Sequence, residues 1–210
     1  MGAFVRRLAL FTAFCLALFL ALVYGSMALP AVQNIDAAVD AALSSMRTKP
    51  LLTAFLWVTT LGAGATLLAV MLAATGLLWD GSGRPLLRPL WIVYLGTEAM
   101  TWGTKFILGR ERPVFLEVAS AASPSFPSAH TAGAAAVYGF LAYILMHRGA
   151  ASGGLVRACL LAVAALIVTA IAFSRVILGV HFFSDVIGGL AVAGVWLCAG
   201  VAIAAVERRP

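Results

Sequence analysis

Apolar residues in this chain do not alternate with polar ones; they run. Six stretches, about 8–29, 52–79, 87–108, 130–147, 156–174 and 184–206, are apolar over lengths suited to crossing a bilayer as helices. A helix satisfies its own backbone hydrogen bonds, which a segment in hydrocarbon must do. The pattern therefore predicts an all-α, polytopic bundle of six transmembrane helices in one domain covering 1–210, without repeats or low-complexity tracts. Between the runs, Asp80-Gly81-Ser82-Gly83 and Gly149 to Gly154 have turn composition. The connection at about 30–50 places Ile35, Val39, Leu43 and Met46 at helical spacing. Asn34 stands where it can cap, and Asp36, Asp40, Arg47 and Lys49 fall on other faces. That predicts either a short helix in the membrane interface or a simple surface linker. The connection at about 109–129 holds Pro113, Pro124 and Pro127 among Ser120, Ser123, Ser125 and Ser128, so it cannot continue a helix.

Composition agrees with lipid as the solvent. The 210 residues are 63% hydrophobic and 10% charged, against about 25% charged in soluble domains. Arg6-Arg7 before the first run, with Gly25-Ser26 after it, raises the alternative of a signal peptide. The run exceeds an ordinary signal core and no small-x-small cleavage site follows, so a retained helix is expected. The net charge of +6 does not point to nucleic acid, because the cations sit at helix ends and form no basic run. With the N-terminus cytoplasmic, Arg6, Arg7, Arg84, Arg88, Arg148, Arg157, Arg208 and Arg209 fall inside. Arg47, Lys49, Lys105, Arg110, Arg112 and Arg175 fall outside. The positive-inside bias thus puts both termini in the cytoplasm. For a bacterial chain, the outward face is then the periplasmic side of the inner membrane. Cys15, Cys159 and Cys198 lie in predicted spans without metal-like or paired spacing and are read as small hydrophobes.

Three clusters of polar residues fall on that outward face: Lys105-x6-Arg112-Pro113, Pro127-Ser128-Ala129-His130 and Ser174-Arg175-x5-His181-x3-Asp185. Lysine and arginine are the natural ligands of phosphoryl oxygens, the former as a point charge and the latter as a planar fork. Lys105, at the C-terminal end of its helix, is favoured there by the helix dipole. Ser128 is placed to cap the fourth span, and a helix N-terminus is itself an anion site, with His130 in its first turn. His181 and Asp185 are four apart, so on a helical turn the carboxylate holds one imidazole nitrogen and leaves the other free to attack. Each residue alone has an ordinary explanation: an interfacial arginine anchors topology, a serine before a helix caps it, and a histidine near a span end such as His147 is interfacial. Those explanations fail jointly, since two of the three histidines fall within motifs on one face.

In order and spacing the three clusters resemble the signature motifs of the type 2 phosphatidic acid phosphatase (PAP2) family, the third being the most specific. Ala129 departs from the glycine of many members. Alanine keeps the backbone N–H and restricts only φ, so a minor effect is expected. The resemblance implies that His181 attacks phosphorus to form a phosphohistidine, Asp185 orients it, and His130 protonates the leaving oxygen and then activates water. It implies that Lys105, Arg112, Ser128 and Arg175 hold the phosphoryl oxygens. It implies no metal or other cofactor, a lipid phosphate or diphosphate as substrate (phosphatidic acid, phosphatidylglycerol phosphate or undecaprenyl diphosphate type), and membrane lipids as the surroundings.

A lipid phosphotransferase would use the same residues. A transporter is disfavoured because the charges gather at one face and do not cross the bilayer. A vanadium haloperoxidase would be soluble, and Ser128 and His130 are too close for a serine-protease dyad. Glu98, seven residues before Lys105 on the same helix face, is left outside the site as a partner of a cation, a headgroup ligand, or a protonated group hydrogen-bonded between helices.

Overall fold

The computed structural model describes residues 2–79, 81–113, 123–148 and 153–207, with side chains at 81 and 82 left out. The chain runs α1 (Gly2–Ala28), α2 (Pro30–Ser44), α3 (Lys49–Thr60), α4 (Gly64–Leu78), a 3-10 segment (Gly81–Leu86), α5 (Leu87–Leu108), α6 (Ala129–His147), α7 (Gly154–Ile177) and α8 (Phe183–Glu207). The described residues contain no strand, as the apolar runs predict. α8 lies at the centre, packed on α1, α5 and α6, while α6 also packs on α7, and α3 lies along α7. Large apolar side chains such as Leu10, Phe14, Ile107 and Leu155 point outward, which in water would be an aggregation hazard and in lipid is the solvated face.

Among the described residues, five segments are long and apolar enough to cross a membrane: Gly2–Ala28, Lys49–Leu78, Ala129–His147, Gly154–Ile177 and Phe183–Glu207. α5 has spanning length, about 33 Å at helical rise, but Arg88, Glu98 and Lys105 make it more polar than the rest. It compensates by burial, with Leu90, Val93, Thr97, Thr101 and Lys105 all inaccessible within the bundle.

The second predicted span is two helices. Between α3 and α4 the backbone tightens, with Leu61, Gly62 and Ala63 N–H groups reaching the carbonyls three residues back. The junction abuts the start of α6 and the last turns of α7: a Cβ on Gly62 would sit 2.7 Å from Ile171 and 3.2 Å from the His130 carbonyl oxygen. A break here brings the end of α3 up against the histidine, a contact that hydropathy alone does not encode.

The 30–50 connection does form a helix, but two details differ from expectation. α2 begins at Pro30 with Leu29 in the N-cap position, because proline supplies helical φ and has no N–H to leave unsatisfied; Asn34 lies inside the helix and does not cap. The faces are also rotated. Val39 and Leu43 pack on the α7 and α8 apolar surface, whereas Ile35 is 53% exposed and Asp36 is 3% exposed. A carboxylate is thus turned inward in place of an isoleucine.

Small residues inside the spans allow close packing. A Cβ on Gly189 would fall 2.7 Å from the Ser128 carbonyl oxygen, so α8 and the start of α6 touch backbone to backbone there. The predicted turn at 149–154 lies mostly outside the described residues, as do Asp80 and Ser120.

Candidate active site

Four chain segments converge at one end of the bundle. α5 ends at Gly109, whose left-handed backbone (φ 61°, ψ 22°) lets its N–H close on the Lys105 carbonyl at 2.9 Å. This is the ordinary glycine stop for a helix, and it turns Arg110 and Arg112 back over the bundle. Ser125 N–H then bonds the Arg110 carbonyl at 2.7 Å, laying the 123–128 segment across that turn. α7 ends after Arg175; Gly179 (φ 63°) reverses the chain, and the Val180 and His181 N–H groups both reach the Arg175 carbonyl at 3.3 Å. α8 starts at once, with Asp185 in its first turn accepting the Phe182 N–H at 2.9 Å. That is the acidic half of a capping box, in which the third helical residue reaches back to the N-cap N–H.

The result is a cavity of about 120 Å³ whose walls include Lys105, Arg112, His130, Arg175 and His181. Five of the seven residues singled out in the sequence therefore face one space. The other two, Ser128 and Asp185, are fully buried behind it.

His181 Nδ1 lies 3.3 Å from Asp185 Oδ2. The pairing expected from the spacing forms, although His181 precedes α8 and does not share its first turn. Nε2 lies 3.1 Å from Arg112 Nη1. Burial pushes the His181 ring down to about 3; the hydrogen bond and charge of Asp185 oppose this, and the Arg175 and Arg112 charges add to it. The ring is therefore neutral at pH 7. With its Nδ1 proton toward the carboxylate, the Nε2 lone pair accepts from Arg112.

The three cations are held differently. Lys105 Nζ donates to the Pro124 and Ser125 carbonyls at 2.5 and 3.1 Å, so two of its three donors fasten the 123–128 segment and one remains for a ligand. Arg112 donates to the Ser123 and Val180 carbonyls at 2.7 and 2.8 Å, and burial lowers its guanidinium from the ordinary value against the pull of Asp185. Arg175 donates from Nη1 to Thr59 Oγ1 at 2.6 Å, while its Nε is buried with no partner among the described residues. A buried, unpaired guanidinium N–H is expensive, and an anion in the cavity would satisfy it.

Ser128 occupies the N-cap position of α6 but its hydroxyl makes no capping bond. It accepts instead from Thr131 Oγ1 at 3.1 Å, and the Ser128 N–H bonds the Asp185 carbonyl at 2.9 Å. Its observed part is to tie α6 to α8. Ala129 opens α6 in helical backbone, which alanine adopts as readily as glycine.

Sequence reasoning missed several neighbours. Ser125 Oγ donates to Asp185 Oδ2 through a very short bond, yet in the sequence it is one serine among several in a proline-rich loop. Thr59 is an ordinary threonine inside an apolar run. Arg110 and Asp36 registered only as charges on the outer face. Glu98, left outside the site, lines the same cavity, with Oε2 accepting from Trp102 Nε1 at 2.9 Å.

Comparison with known proteins places this geometry. A family model described as the PAP2 superfamily matches residues 86–209, from α5 through α8. Phosphatidylglycerophosphatase B of Bacillus subtilis (strain 168) is 33% identical over 167 residues, covering 76% of this chain and 78% of that protein. The crystal structure of a transmembrane PAP2 type phosphatidylglycerolphosphate phosphatase from Bacillus subtilis aligns with a TM-score of 0.81 at 28% identity, over 94% of this chain and 97% of that one. LpxE of Aquifex aeolicus aligns with a TM-score of 0.60 at 22% identity, over 79% and 93%, a likeness of fold alone. The three motifs lie within or beside the matched elements and close on a single cavity, and the chain belongs to the PAP2 superfamily.

Proposed function

We propose that this protein is a membrane lipid phosphatase working through a phosphohistidine on His181. The observation that carries the reading is the single cavity in which a neutral histidine backed by a buried carboxylate meets a second histidine and three cations. A phosphoryl group displaces the Arg112 hydrogen bond from Nε2 and takes the arginine donors for its own oxygens. Lys105 and Arg175 complete the cradle, and the start of α6 adds the partial positive charge of a helix N-terminus. Ser128 contributes by fixing that helix start.

In the first step the Nε2–phosphorus bond forms as the bond to the lipid oxygen breaks, and His130, entering as the imidazolium beside the bound phosphate, gives a proton to that oxygen and becomes neutral. Asp185 holds the Nδ1 proton and stabilises the charge on the ring. In the second step His130 takes a proton from water, the new oxygen–phosphorus bond forms, and the nitrogen–phosphorus bond breaks to release phosphate and restore neutral His181.

The substrate class is a lipid phosphate or diphosphate of the phosphatidic acid, phosphatidylglycerol phosphate or undecaprenyl diphosphate type. The relatives' names favour phosphatidylglycerol phosphate. The basic residues support six spans with α5 among them, cytoplasmic termini, and a site facing the periplasm across the inner membrane. The whole chain, 1–210, acts as one domain.

The test is phosphate release from those three lipids by purified protein in detergent with a chelator present. Wild type is expected to turn over at least one of them with chelator making no difference, and His181→Ala is expected to fall to background. Turnover by His181→Ala would overturn the nucleophile, and loss of wild-type activity to the chelator would overturn the metal-free chemistry.

A further inference from the structure

Behind His181 lies a second charged cluster that the phosphate cavity does not include. Arg110 is 9% exposed, Asp36 3% and Asp185 0%. Arg110 Nη1 donates to Asp185 Oδ1 at 2.5 Å and to Ser184 Oγ at 2.8 Å, and Nη2 donates to Asp36 Oδ2 at 2.8 Å. Asp36 in turn accepts the Ser184 N–H at 2.8 Å and its hydroxyl at 2.6 Å. The ring of Phe182 lies 4.3 Å from the guanidinium carbon. Both terminal nitrogens of Arg110 are thus engaged, and the residue is not among those lining the cavity.

The two oxygens of Asp185 are divided by this arrangement. Oδ1 belongs to Arg110, while Oδ2 receives Ser125, the Phe182 N–H and His181. A carboxylate free to rotate would exchange those roles and lose the aim of the imidazole. Burying two carboxylates with one guanidinium is a poor source of stability, but it is an effective way to fix an orientation. The cluster also explains the rotated α2 helix, since Asp36 must face inward to reach Arg110.

We propose that Arg110 and Asp36 are positioning residues for the nucleophile: Arg110 locks Asp185 so that Oδ2 stays on His181, and Asp36 of α2 locks Arg110. This rests on His181 being the nucleophile. Through it, the surface helix is joined to Nδ1 of the reacting ring by an unbroken chain of hydrogen bonds. The charged and titratable groups around His181 are Asp36 from α2, Lys105 from α5, Arg110 and Arg112 from the segment after it, His130 from α6, Arg175 from α7 and Asp185 from α8.

The test measures kcat, KM and the acidic limb of the pH profile on a lipid phosphate in detergent. Arg110→Gln is expected to lower kcat by about 10–100-fold with KM within about threefold, as for other groups that orient a first ligand. Arg110→Lys is expected to recover most of the loss. The limbs should move in opposite directions. Removing the Arg110 cation lets the His181 ring take up a proton at higher pH. Asp36→Asn removes an anion and moves the limb to lower pH, with a smaller loss of kcat. Limbs that stay put or move the same way would overturn the proposal, as would a rise in KM at unchanged kcat. Should Arg110→Gln not fold, Arg110→Lys, which keeps the cation, is expected to hold the wild-type limb while Asp36→Asn moves it to lower pH; an unmoved limb in Asp36→Asn would then overturn the proposal. A fully active His181→Ala protein would instead remove the mechanism on which the inference rests, so the two failures are distinct.

Discussion

Thr59→Val isolates the part that Arg175 plays. Thr59 Oγ1 accepts the hydrogen bond from Arg175 Nη1 at 2.6 Å, both side chains are buried, and the buried Nε has no partner among the described residues. Valine keeps the shape of threonine and removes the acceptor. A hydrogen bond to a charged group is worth roughly 1.5–3 kcal/mol, and each 1.4 kcal/mol is about a factor of ten. If the guanidinium is held for the phosphoryl group by this bond, kcat/KM falls by about 10–100-fold. Thr59→Ser retains the oxygen and is expected to stay within about threefold of wild type. The assay is initial-rate phosphate release from a lipid phosphate in detergent micelles, with a thermal melt of each variant alongside. Wild-type kcat/KM in the valine variant, or an equal loss in the serine variant, would refute the idea that Thr59 aims Arg175.

Stability should also record the neutrality of His181. An unfolded histidine binds a proton near 6.5, whereas the buried ring does so near 3. Between those values the unfolded state holds more protons, so stability falls as pH drops below 6.5. The loss attributable to this ring is about 2 kcal/mol between pH 7 and pH 5, and the thermal midpoint of His181→Gln should fall less steeply over that range than wild type. Gly189→Ala drives a methyl into the Ser128 carbonyl, which is backbone and cannot swing aside. It should lower the melting temperature by an overpacking cost of about 1–3 kcal/mol and displace the start of α6, cutting kcat/KM. Gly76→Ala, with nothing near its added methyl, should leave both unchanged or raise the midpoint slightly.

The helices and the motifs were legible in the sequence for different reasons. Long apolar runs report on lipid directly, so five of the six predicted runs are each a single helix to within several residues, while the second, 52–79, is two helices. The paired spacing of His181 and Asp185 is local, and the capping of α8 by that aspartate makes it reliable. What sequence could not supply depends on contacts between distant segments. The break at Gly62 follows from the position of His130, 68 residues on. The inward turn of Asp36 follows from Arg110 and Ser184, each 74 or more residues away. Hydropathy assigned Asp36 to the water face because it scores a carboxylate without its partner. Ser128 illustrates the reverse, a good capping residue by composition whose hydroxyl was drawn to Thr131 instead.

The central claim is a covalent bond between His181 and phosphorus, and trapping it is the most direct test. Protein mixed with a lipid carrying labelled terminal phosphate and quenched in alkali should retain an acid-labile, base-stable label. The label should map to the peptide containing His181, accumulate further in His130→Ala, and vanish in His181→Ala. Phosphate release by wild type with no label on that peptide, or by the His181→Ala protein, would contradict the account.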